Sequence, residues 1–453
     1  MRCRIPIEVV GPSIVRRIDR TRCRSRRFCA ERLEATILAI GLVAWLGLAP
    51  AALAVNGTRA IAYGAASVKV AGSDSASGAD PSQLDTNPAN LARIAGQRAD
   101  FGGVAIFAGD RHSDLLGNDR RISNTVTPIA ALGYAWRVAP ARTVFGVGLH
   151  AQGGAGSVYR DLRTPFGTQD EYASRYGVLL ASVGFATEIT DRLQVGASIA
   201  VVSSAAKQRL LPDTSYASPG GTWFGLETSD ATATRAGGRI GIRYEVAPEF
   251  AIGAYFAQSV NLPLEGSAVA NLTAIGLGKV RYASLDIDGL GTPREAAVGF
   301  AWRANERLEW SAKLERIFWS GVYRTIRYRA TRPDTPGAPP ELTLESRVDW
   351  RDQTVVAVGA TVVVDADTIV RAGINWGTQP GRAETTSPLL SGIDRLHFTA
   401  GFSRRLPEHW TIFAGIEVLR PESLDYFNPE QPFGPSTLER RYVALSLALS
   451  RAW

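Results

Sequence analysis

The chain ends with "YVALSLALSRAW", residues 442–453, and this stretch decides the fold class. Small residues, all alanines and serines, fill the alternate positions between the apolar residues Val443, Leu445, Leu447, Leu449 and Trp453. This period of two predicts a β-strand with one apolar face and one small or polar face. A strand that runs to the chain end needs a partner on both sides, because an open edge invites aggregation. Closure of a barrel would supply both partners.

Cysteine usage separates the beginning of the chain from the rest. The chain has 453 residues and three cysteines, Cys3, Cys23 and Cys29. Everything after residue 29 is free of cysteine, so neither a disulfide framework nor a thiolate metal site can form there.

The N-terminal stretch has the pattern of a targeting segment. Arginine-rich residues 1–32 precede the apolar run "ATILAIGLVAWLGLAPAALA", which ends with the small-x-small signal Ala52-Leu53-Ala54. This order predicts a secretory signal peptide over residues 1–54. An N-terminal membrane anchor remains the alternative, because the run is about long enough to span a bilayer.

The signal peptide also accounts for the basic charge of the chain. Residues 1–54 hold ten arginines and four acidic residues, so the remainder keeps 40 basic and 39 acidic residues. A net charge near zero gives no reason to expect a nucleic-acid partner.

From Ala99 onward the sequence alternates in hairpins. One example is "GRIGIRYEV", the turn "APE" and "FAIGAYFAQ", residues 238–258. Short polar turns between alternating runs are typical of antiparallel hairpins. No segment after the signal peptide holds 18 consecutive apolar residues, whereas a spanning β-strand needs only about ten. The pattern fits a soluble sandwich or a membrane barrel.

Three features favour an antiparallel transmembrane β-barrel over residues 99–453. The first is the apolar strand at the chain end. The second is a set of long connections that alternate with short turns, at residues 154–174, 209–229, 263–281, 320–347 and 377–393. The third is a set of aromatic residues near strand ends, as interfacial girdles require, namely Trp136, Trp302, Trp319, Trp376 and Trp410.

Four stretches, in order along the chain, carry a resemblance to a known family. They begin with "GTRAIAYGAASVKVAGSDSASGADPSQLDTNPANLARI" and "TPREAAVGFAWRANERLEWSAKLERIFWS", and continue with "VVAVGATVVVDADTIVRAGINWGTQP" and "GIDRLHFTAGFSRRL". Together they resemble the FadL/TodX outer-membrane transporters of long-chain fatty acids and hydrocarbons, over residues 57–453.

The resemblance implies a barrel of about 14 strands, plugged by an N-terminal hatch at residues 55–98. The hatch would carry the family signature Asn87, Pro88 and Ala89. The implied function is passive uptake of hydrophobic compounds across the outer membrane of a Gram-negative bacterium, with sideways exit through a gap in the third strand. The implied partners are a hydrophobic substrate, outer-membrane lipid and the barrel-assembly machinery, and a monomer is expected.

Glycines mark the position that matches the third-strand gap. In "HAQGGAGSV", residues 150–158, they are Gly153, Gly154 and Gly156. A barrel wall can open only where ladder hydrogen bonds are missing, which requires a bulge or glycines. The alternative is that these glycines relax an ordinary barrel corner.

The resemblance leaves the substrate's headgroup open. Where fatty-acid binders of the family place a basic residue, this chain has Ala205, with Lys207 and Arg209 following. Lys207 and Arg209 are therefore candidate partners for a substrate carboxylate, since residues two apart share a strand face. The alternative is a lysine that faces water, with a neutral hydrocarbon or aromatic substrate.

The last strand is also the candidate barrel-assembly signal. Leu445, Leu447, Leu449 and Trp453 fit the expected pattern, whereas Arg451 stands where an aromatic residue is usual.

The residues do not favour an enzyme. The histidines are scattered without ligand spacing, at His112, His150, His397 and His409, so no metal, cofactor or catalytic residue is predicted. Two alternatives remain open. One is a porin for small polar solutes, and the other is a membrane hydrolase, which needs a serine and a histidine within reach of each other.

Overall fold

The computed structural model describes residues 56–138, 141–218 and 221–453. The predicted signal peptide, residues 1–54, lies outside the described residues. The described residues form 24 β-strands, numbered β1 to β24 in chain order. Six 3-10 helices also occur among them, at Ser67–Val70, Pro81–Asp85, Pro88–Arg93, Thr273–Ile275, Trp319–Gly321 and Pro407–His409.

Fourteen of the described strands pair in a closed antiparallel ring. The predicted fold class, an all-β antiparallel barrel of about 14 strands, is confirmed. In ring order the wall strands are β1 (Gln97–Ala108), β4 (Val126–Val138), β5 (Thr143–Arg163), β6 (Gln169–Glu188), β7 (Leu193–Ser218), β8 (Gly221–Ala247), β9 (Phe250–Ala257), β14 (Arg294–Arg303), β15 (Leu308–Phe318), β18 (Gln353–Val363), β19 (Thr368–Gly377), β20 (Leu396–Arg405), β21 (Trp410–Leu419) and β24 (Tyr442–Ala452).

The last strand closes the ring. β24 pairs with β1 from Ala452 opposite Arg98 to Tyr442 opposite Ala108, and on its other side it pairs with β21. Both edges of the terminal strand are therefore satisfied, which confirms the interpretation of the chain end.

The alternation in β24 separates the outside of the barrel from its inside. Leu445 and Leu447 are exposed on the outer face, whereas Ala444 and Ser450 are buried on the inner face. In a membrane the leucines contact lipid and the small residues line the lumen. Trp453 extends the outer row at the short-turn end, where the cation of Arg451 lies 5.4 Å from its ring centre.

The prediction of loops is wrong for two stretches. Residues 154–174 and 209–229 belong mostly to strands, because the hairpins β5–β6 and β7–β8 continue to pair beyond the rest of the wall. Their polar residues had suggested loops, but cross-strand hydrogen bonds do not require apolar side chains.

Two other predicted long connections also carry strands, whereas residues 378–393 contain none. A sheet at the long-loop end extends from β8 through β11, β12, β16 and β17, so residues 263–281 and 320–347 are not simple loops. Two smaller sheets, β10 with β13 and the four strands β22, β23, β2 and β3, complete the described strands. The strands outside the ring are β2 (Arg111–Asp114), β3 (Asp119–Arg121), β10 (Val260–Asn261), β11 (Leu264–Asn271), β12 (Lys279–Asp288), β13 (Gly291–Thr292), β16 (Thr325–Pro333), β17 (Glu341–Arg347), β22 (Glu422–Tyr426) and β23 (Ser436–Arg440).

Residues 56–96, from here on called the hatch, pack against the inner face of the ring. Two of its 3-10 helices begin with proline after an Asp or Asn that caps the first turn. Asp80 accepts a hydrogen bond from the Ser82 amide at 3.0 Å, and Asn87 accepts one from the Ala89 amide at 3.2 Å. Such caps stabilise helices that are too short to be stable by themselves. The wall begins at Gln97, one residue before the end of the predicted hatch.

One aromatic residue assigned to the girdle is not there. Trp319 is fully buried, packs against Tyr323 and Trp350, and donates its indole N–H to Gln353 at 3.1 Å. The sequence pattern could not distinguish this core tryptophan from Trp376, which is exposed at a strand end.

Candidate functional site

The barrel wall is interrupted between β4 and β5. Pairing between these strands runs only as far as Ala131 opposite His150. Beyond that point, within the described chain, Val126–Ala130 pair with β1 alone, and β5 has a bulge between Ala151 and Gly153. We call this unpaired stretch the wall gap. Missing ladder hydrogen bonds make it the place where the wall could part at least cost.

The wall gap closes again towards the long loops. The Ser123 amide donates to the carbonyl of Val158 at 2.8 Å, and the Asn124 side chain accepts from the Val158 amide at 2.9 Å. Asn124 also donates to the carbonyl of Gly156 at 3.3 Å. The wall gap therefore has hydrogen-bonded margins above and below.

The start of the hatch occupies the inner side of the wall gap. The amide of Ala60 donates to the carbonyl of Gln152 at 2.9 Å, and the amide of Gly154 donates to the carbonyl of Thr58 at 2.8 Å. The segment Thr58–Ala60 thus pairs with β5 where β4 does not.

The glycines of β5 permit this close approach. A Cβ atom at Gly153 would lie 1.9 Å from the carbonyl oxygen of Thr58, and one at Gly154 would lie 2.2 Å from that of Tyr176. No larger residue fits either position without movement. The structure places Gly153 and Gly154 inside the wall gap and Gly156 at its margin. Their predicted role in substrate exit is taken up below.

A buried ion network anchors the same segment from the opposite wall. Arg59 lies 3.0 Å from Glu295 of β14 and 3.1 Å from Glu315 of β15, and all three side chains are almost completely buried. Glu295 also binds Arg239 at 3.0 Å, and Glu315 binds Lys313 at 3.0 Å. Each carboxylate has two cations, so the desolvation cost of the buried charges is offset by pairing. Sequence reasoning missed this network, because its members are far apart in the chain.

A cavity lies between the hatch, β1, β4 and β24, and it reaches the wall gap. About 930 Å³ of space, which includes solvent at its opening, lies between the side chains that line this inner cavity. Ala130 and Ala151, on the two sides of the wall gap, both line it. Most of the other lining side chains are apolar, including Ile61, Val68, Val104, Ile106 and Ile129.

His150 borders the inner cavity and is fixed by the hatch. Its Nδ1 atom lies 2.6 Å from Asp85, and the hydroxyl of Ser182 donates to the other oxygen of the same carboxylate at 2.5 Å. The serine thus binds the aspartate and not the histidine, so this cluster lacks the serine–histidine contact that a hydrolase needs. No sequence motif around Asp85 indicated that it contacts His150.

A second cavity lies towards the long loops. This outer cavity spans about 820 Å³ of space when the solvent at its opening is included, and aromatic and aliphatic residues supply much of its lining. Among them are Tyr172, Tyr176, Leu210, Trp223 and Tyr328.

The structure corrects the inward orientation considered for Lys207. Gln208, its neighbour on β7, is buried and lines the outer cavity, so Lys207 belongs to the opposite, exposed face. Arg209 shares that face and lies 3.1 Å from Glu227 and 3.4 Å from Glu171. Neither predicted carboxylate partner is among the residues that line the outer cavity.

The signature residues of the hatch contact the far side of the barrel. The Asn87 side chain donates to the carbonyls of Ser75, at 2.7 Å, and Ile242 of β8, at 3.1 Å. A Cβ at Gly196 of β7 would lie 2.5 Å from the carbonyl carbon of Pro88 and from the Ala89 amide. These residues therefore join the hatch to β7 and β8 and do not border the wall gap.

Two searches of the described residues were negative. In the described ranges no cluster of three or more His, Cys, Asp or Glu side chains could hold a metal ion. Within the same ranges no helix is both long and apolar enough to cross a membrane.

One protein family matches most of the sequence. The sequence model of the family described as outer membrane protein transport protein (OMPP1/FadL/TodX) matches residues 41–428. No curated protein matches the sequence.

Several solved structures have the same fold, and this chain matches nearly the full length of each. The toluene transporter TodX of Pseudomonas putida superposes with a TM-score of 0.74 at 19% identity, over 87% of this chain and 99% of that one. The toluene transporter TbuX of Ralstonia pickettii gives 0.71 at 21% identity, with coverage of 87% and 99%. A FadL homologue of Pseudomonas aeruginosa gives 0.71 at 14% identity, again with 87% and 99%.

Proposed function

This chain belongs to the OMPP1/FadL/TodX family of outer-membrane transport proteins, and from that premise we propose that it takes up hydrophobic small molecules passively and releases them sideways through the wall gap. The substrates would be long-chain fatty acids or aromatic and aliphatic hydrocarbons. They would enter at the outer cavity, move to the inner cavity and leave between β4 and β5. We further propose that the protein acts as a monomer, and that barrel-assembly machinery recognises Leu445, Leu447, Leu449 and Trp453.

One observation carries this proposal. The inner cavity, which is largely apolar, meets the wall at a place in the described ring where two neighbouring strands part between hydrogen-bonded margins. An apolar molecule that leaves there enters the hydrocarbon layer directly, so it avoids the cost of exposing apolar surface to water. The named relatives TodX and TbuX are toluene transporters, which agrees with this substrate class.

The alternatives have less support. A porin for polar solutes needs an open lumen, whereas residues 56–96 pack inside this barrel and are mostly buried. The chain belongs to a family of transport proteins and not of enzymes, and Ser182 is bound to Asp85 and not to His150.

A reversible crosslink across the wall gap tests the exit route. Ala130 and Ala151 both line the inner cavity from opposite margins. Residues 56–453 contain no cysteine, so Ala130→Cys/Ala151→Cys creates a unique pair. A short bifunctional thiol reagent with a reducible centre should block uptake of a long-chain hydrocarbon, and reduction should restore it.

The matched control is the pair Val298→Cys/Leu314→Cys. These residues face each other on β14 and β15, where pairing is continuous, and both are exposed on the outer face. Crosslinking there should leave uptake unchanged. If the crosslinked gap pair transports at the uncrosslinked rate, sideways exit at this position is excluded.

A further inference from the structure

One arginine stands on the lipid-facing side of the closing strand. Leu445, Leu447 and Leu449 are exposed on the outer face of β24, and the period of two places Arg451 in the same row. No carboxylate of the described residues, the one at Trp453 included, lies within 4.0 Å of its guanidinium. Its Nε atom is buried and has no hydrogen-bond partner within the described chain. Arg451 is therefore a cation without a counter-ion at the lipid surface.

Two tryptophans contact this guanidinium. Arg451 lies directly opposite Trp410 of β21, and its cation is 5.3 Å from the centre of that ring and 5.4 Å from the centre of the Trp453 ring. Cation–π contacts use the flat face of a guanidinium and leave the N–H groups at its edge free. An arginine near a membrane surface commonly extends its side chain towards water. The two contacts keep this one among the aromatic rings.

The aromatic contacts continue across the seam where the barrel closes. The Trp453 ring lies 6.2 Å from that of Tyr134 on β4, and Tyr134 stacks on Trp136 at 5.5 Å. Trp136 in turn stacks on Phe145 of β5 at 5.9 Å. Aromatic belts of this kind lie at the level of the lipid headgroups. Because this one lies at the short-turn end, Arg451 faces the headgroups of the periplasmic leaflet.

Ala99 leaves space beside the arginine. This residue of β1 lies opposite Arg451 on one side and opposite Tyr134 on the other. Its small side chain forms the floor of a notch between a guanidinium and a phenol ring. Two positions further along, Phe101 of β1 lies opposite Leu449 of β24, and both are exposed on the outer face. The notch therefore opens onto an apolar strip that runs towards the middle of the membrane.

A phospholipid of the periplasmic leaflet would supply the missing counter-ion. Its phosphate is an anion at headgroup level, and the N–H groups of a guanidinium bind phosphate oxygens in pairs. Its acyl chains would lie along the apolar strip of Phe101 and Leu449. We propose that Arg451 binds the phosphate of a glycerophospholipid in the notch, and that this lipid stays bound beside the closing seam of the barrel. The proposal does not depend on what the protein transports.

The test compares lipids that differ in the phosphate. The full chain, purified from membranes in detergent as the folded barrel, is titrated with phosphatidylglycerol and with diacylglycerol of the same acyl chains. Native mass spectrometry counts the bound lipid. Wild-type protein should bind one phosphatidylglycerol about tenfold or more tightly than diacylglycerol, as one charge-assisted contact allows. Phosphatidylethanolamine should also be preferred to diacylglycerol, because it carries the same phosphodiester.

Two substitutions locate the site. Arg451→Phe introduces an aromatic residue, the kind that is usual at this position, so the barrel should assemble. Its affinity for phosphatidylglycerol should fall to that for diacylglycerol. Arg404→Phe is the matched control, because Arg404 is exposed on β20 at the same end of the barrel but forms no cation–π contact within the described residues. This variant should keep the full preference. If Arg451→Phe yields no folded barrel, Arg451→Gln gives the same readout.

Three results would overturn the inference. Equal affinity of the wild type for the two lipids, or a preference that persists without Arg451, would show that the arginine only packs between the rings. Loss of the preference in Arg404→Phe to the same extent would show a general attraction between surface cations and anionic lipid. Displacement of the bound lipid by excess inorganic phosphate would assign the site to a free anion. Retention of the lipid in that competition supports the phospholipid.

Discussion

Gly153 shows how one residue can shape the wall gap. A side chain here would collide with the Thr58 carbonyl, so Gly153→Val should expel Thr58–Ala60 from its pairing with β5 and not simply narrow the opening. Keeping both the valine side chain and Thr58–Ala60 in place would cost about 1–3 kcal/mol. Trypsin should cut the folded variant after Arg59, which is buried in the wild type. Gly321→Val, where a Cβ meets no atom within 4 Å, should stay resistant, and resistance of Gly153→Val would contradict the expectation.

Arg59 is the residue whose loss should cost most. Arg59→Met leaves Glu295 and Glu315 each with one cation fewer in a buried site, and breaking a buried pair costs about 3–5 kcal/mol. On gels of heated samples, the temperature at which the folded band gives way to the unfolded band should be clearly lower than for the wild type. Arg111→Met removes exposed pairs with Asp119 and Glu439, worth about 0–1 kcal/mol, and should hardly shift it. Equal shifts in the two variants would show that the network does not anchor the hatch.

At the scale of elements, two strands carry the site. β5 is paired with β6 along nearly its whole length, while on its other side it exchanges β4 for a hatch segment at the bulge after Ala151. A strand that stays anchored on one side can release its other neighbour without unfolding. The proposed sideways exit requires a wall that opens locally, and this asymmetry would permit such an opening in a closed sheet.

The middle of the outer row of β24, away from Arg451 at the strand end, should tolerate no charge. Leu447 is exposed on the lipid face, and an arginine in the middle of a lipid-facing strand costs about 2–4 kcal/mol. Leu447→Arg should therefore lower the amount of folded barrel in the outer membrane, measured as the heat-modifiable band. Leu115 is even more exposed but lies in a turn at the long-loop end, so Leu115→Arg should assemble normally. Normal assembly of Leu447→Arg would mean that this face does not contact lipid.

For the whole molecule, the sequence predicted what depends on local periodicity. The alternation in β24 and the turn residues were sufficient to predict a closed antiparallel barrel, because strand faces and hairpins are read from neighbouring residues. The number of about 14 strands came from the family resemblance. The pairing of Thr58–Ala60 with β5 and the anchor of Arg59 in β14 and β15 were not predictable, since they join residues far apart in the chain. The orientation of Lys207 stayed open in the sequence for a related reason. A period of two gives two faces but does not say which one turns inward.

The hatch as a whole should also seal the barrel against water-soluble molecules. The Asn87 side chain donates to the Ile242 carbonyl of β8 and to the Ser75 carbonyl within the hatch, and losing these buried bonds costs about 1–3 kcal/mol. In Asn87→Ala/Pro88→Ala the hatch should loosen, and liposomes that contain the variant should swell faster in a small sugar than wild-type liposomes. Asn305→Ala removes a comparable side-chain cap in an exposed turn and should not leak. If the double variant folds and admits the sugar no faster than wild type, these contacts do not keep the lumen closed, and the seal must come from the ion network around Arg59.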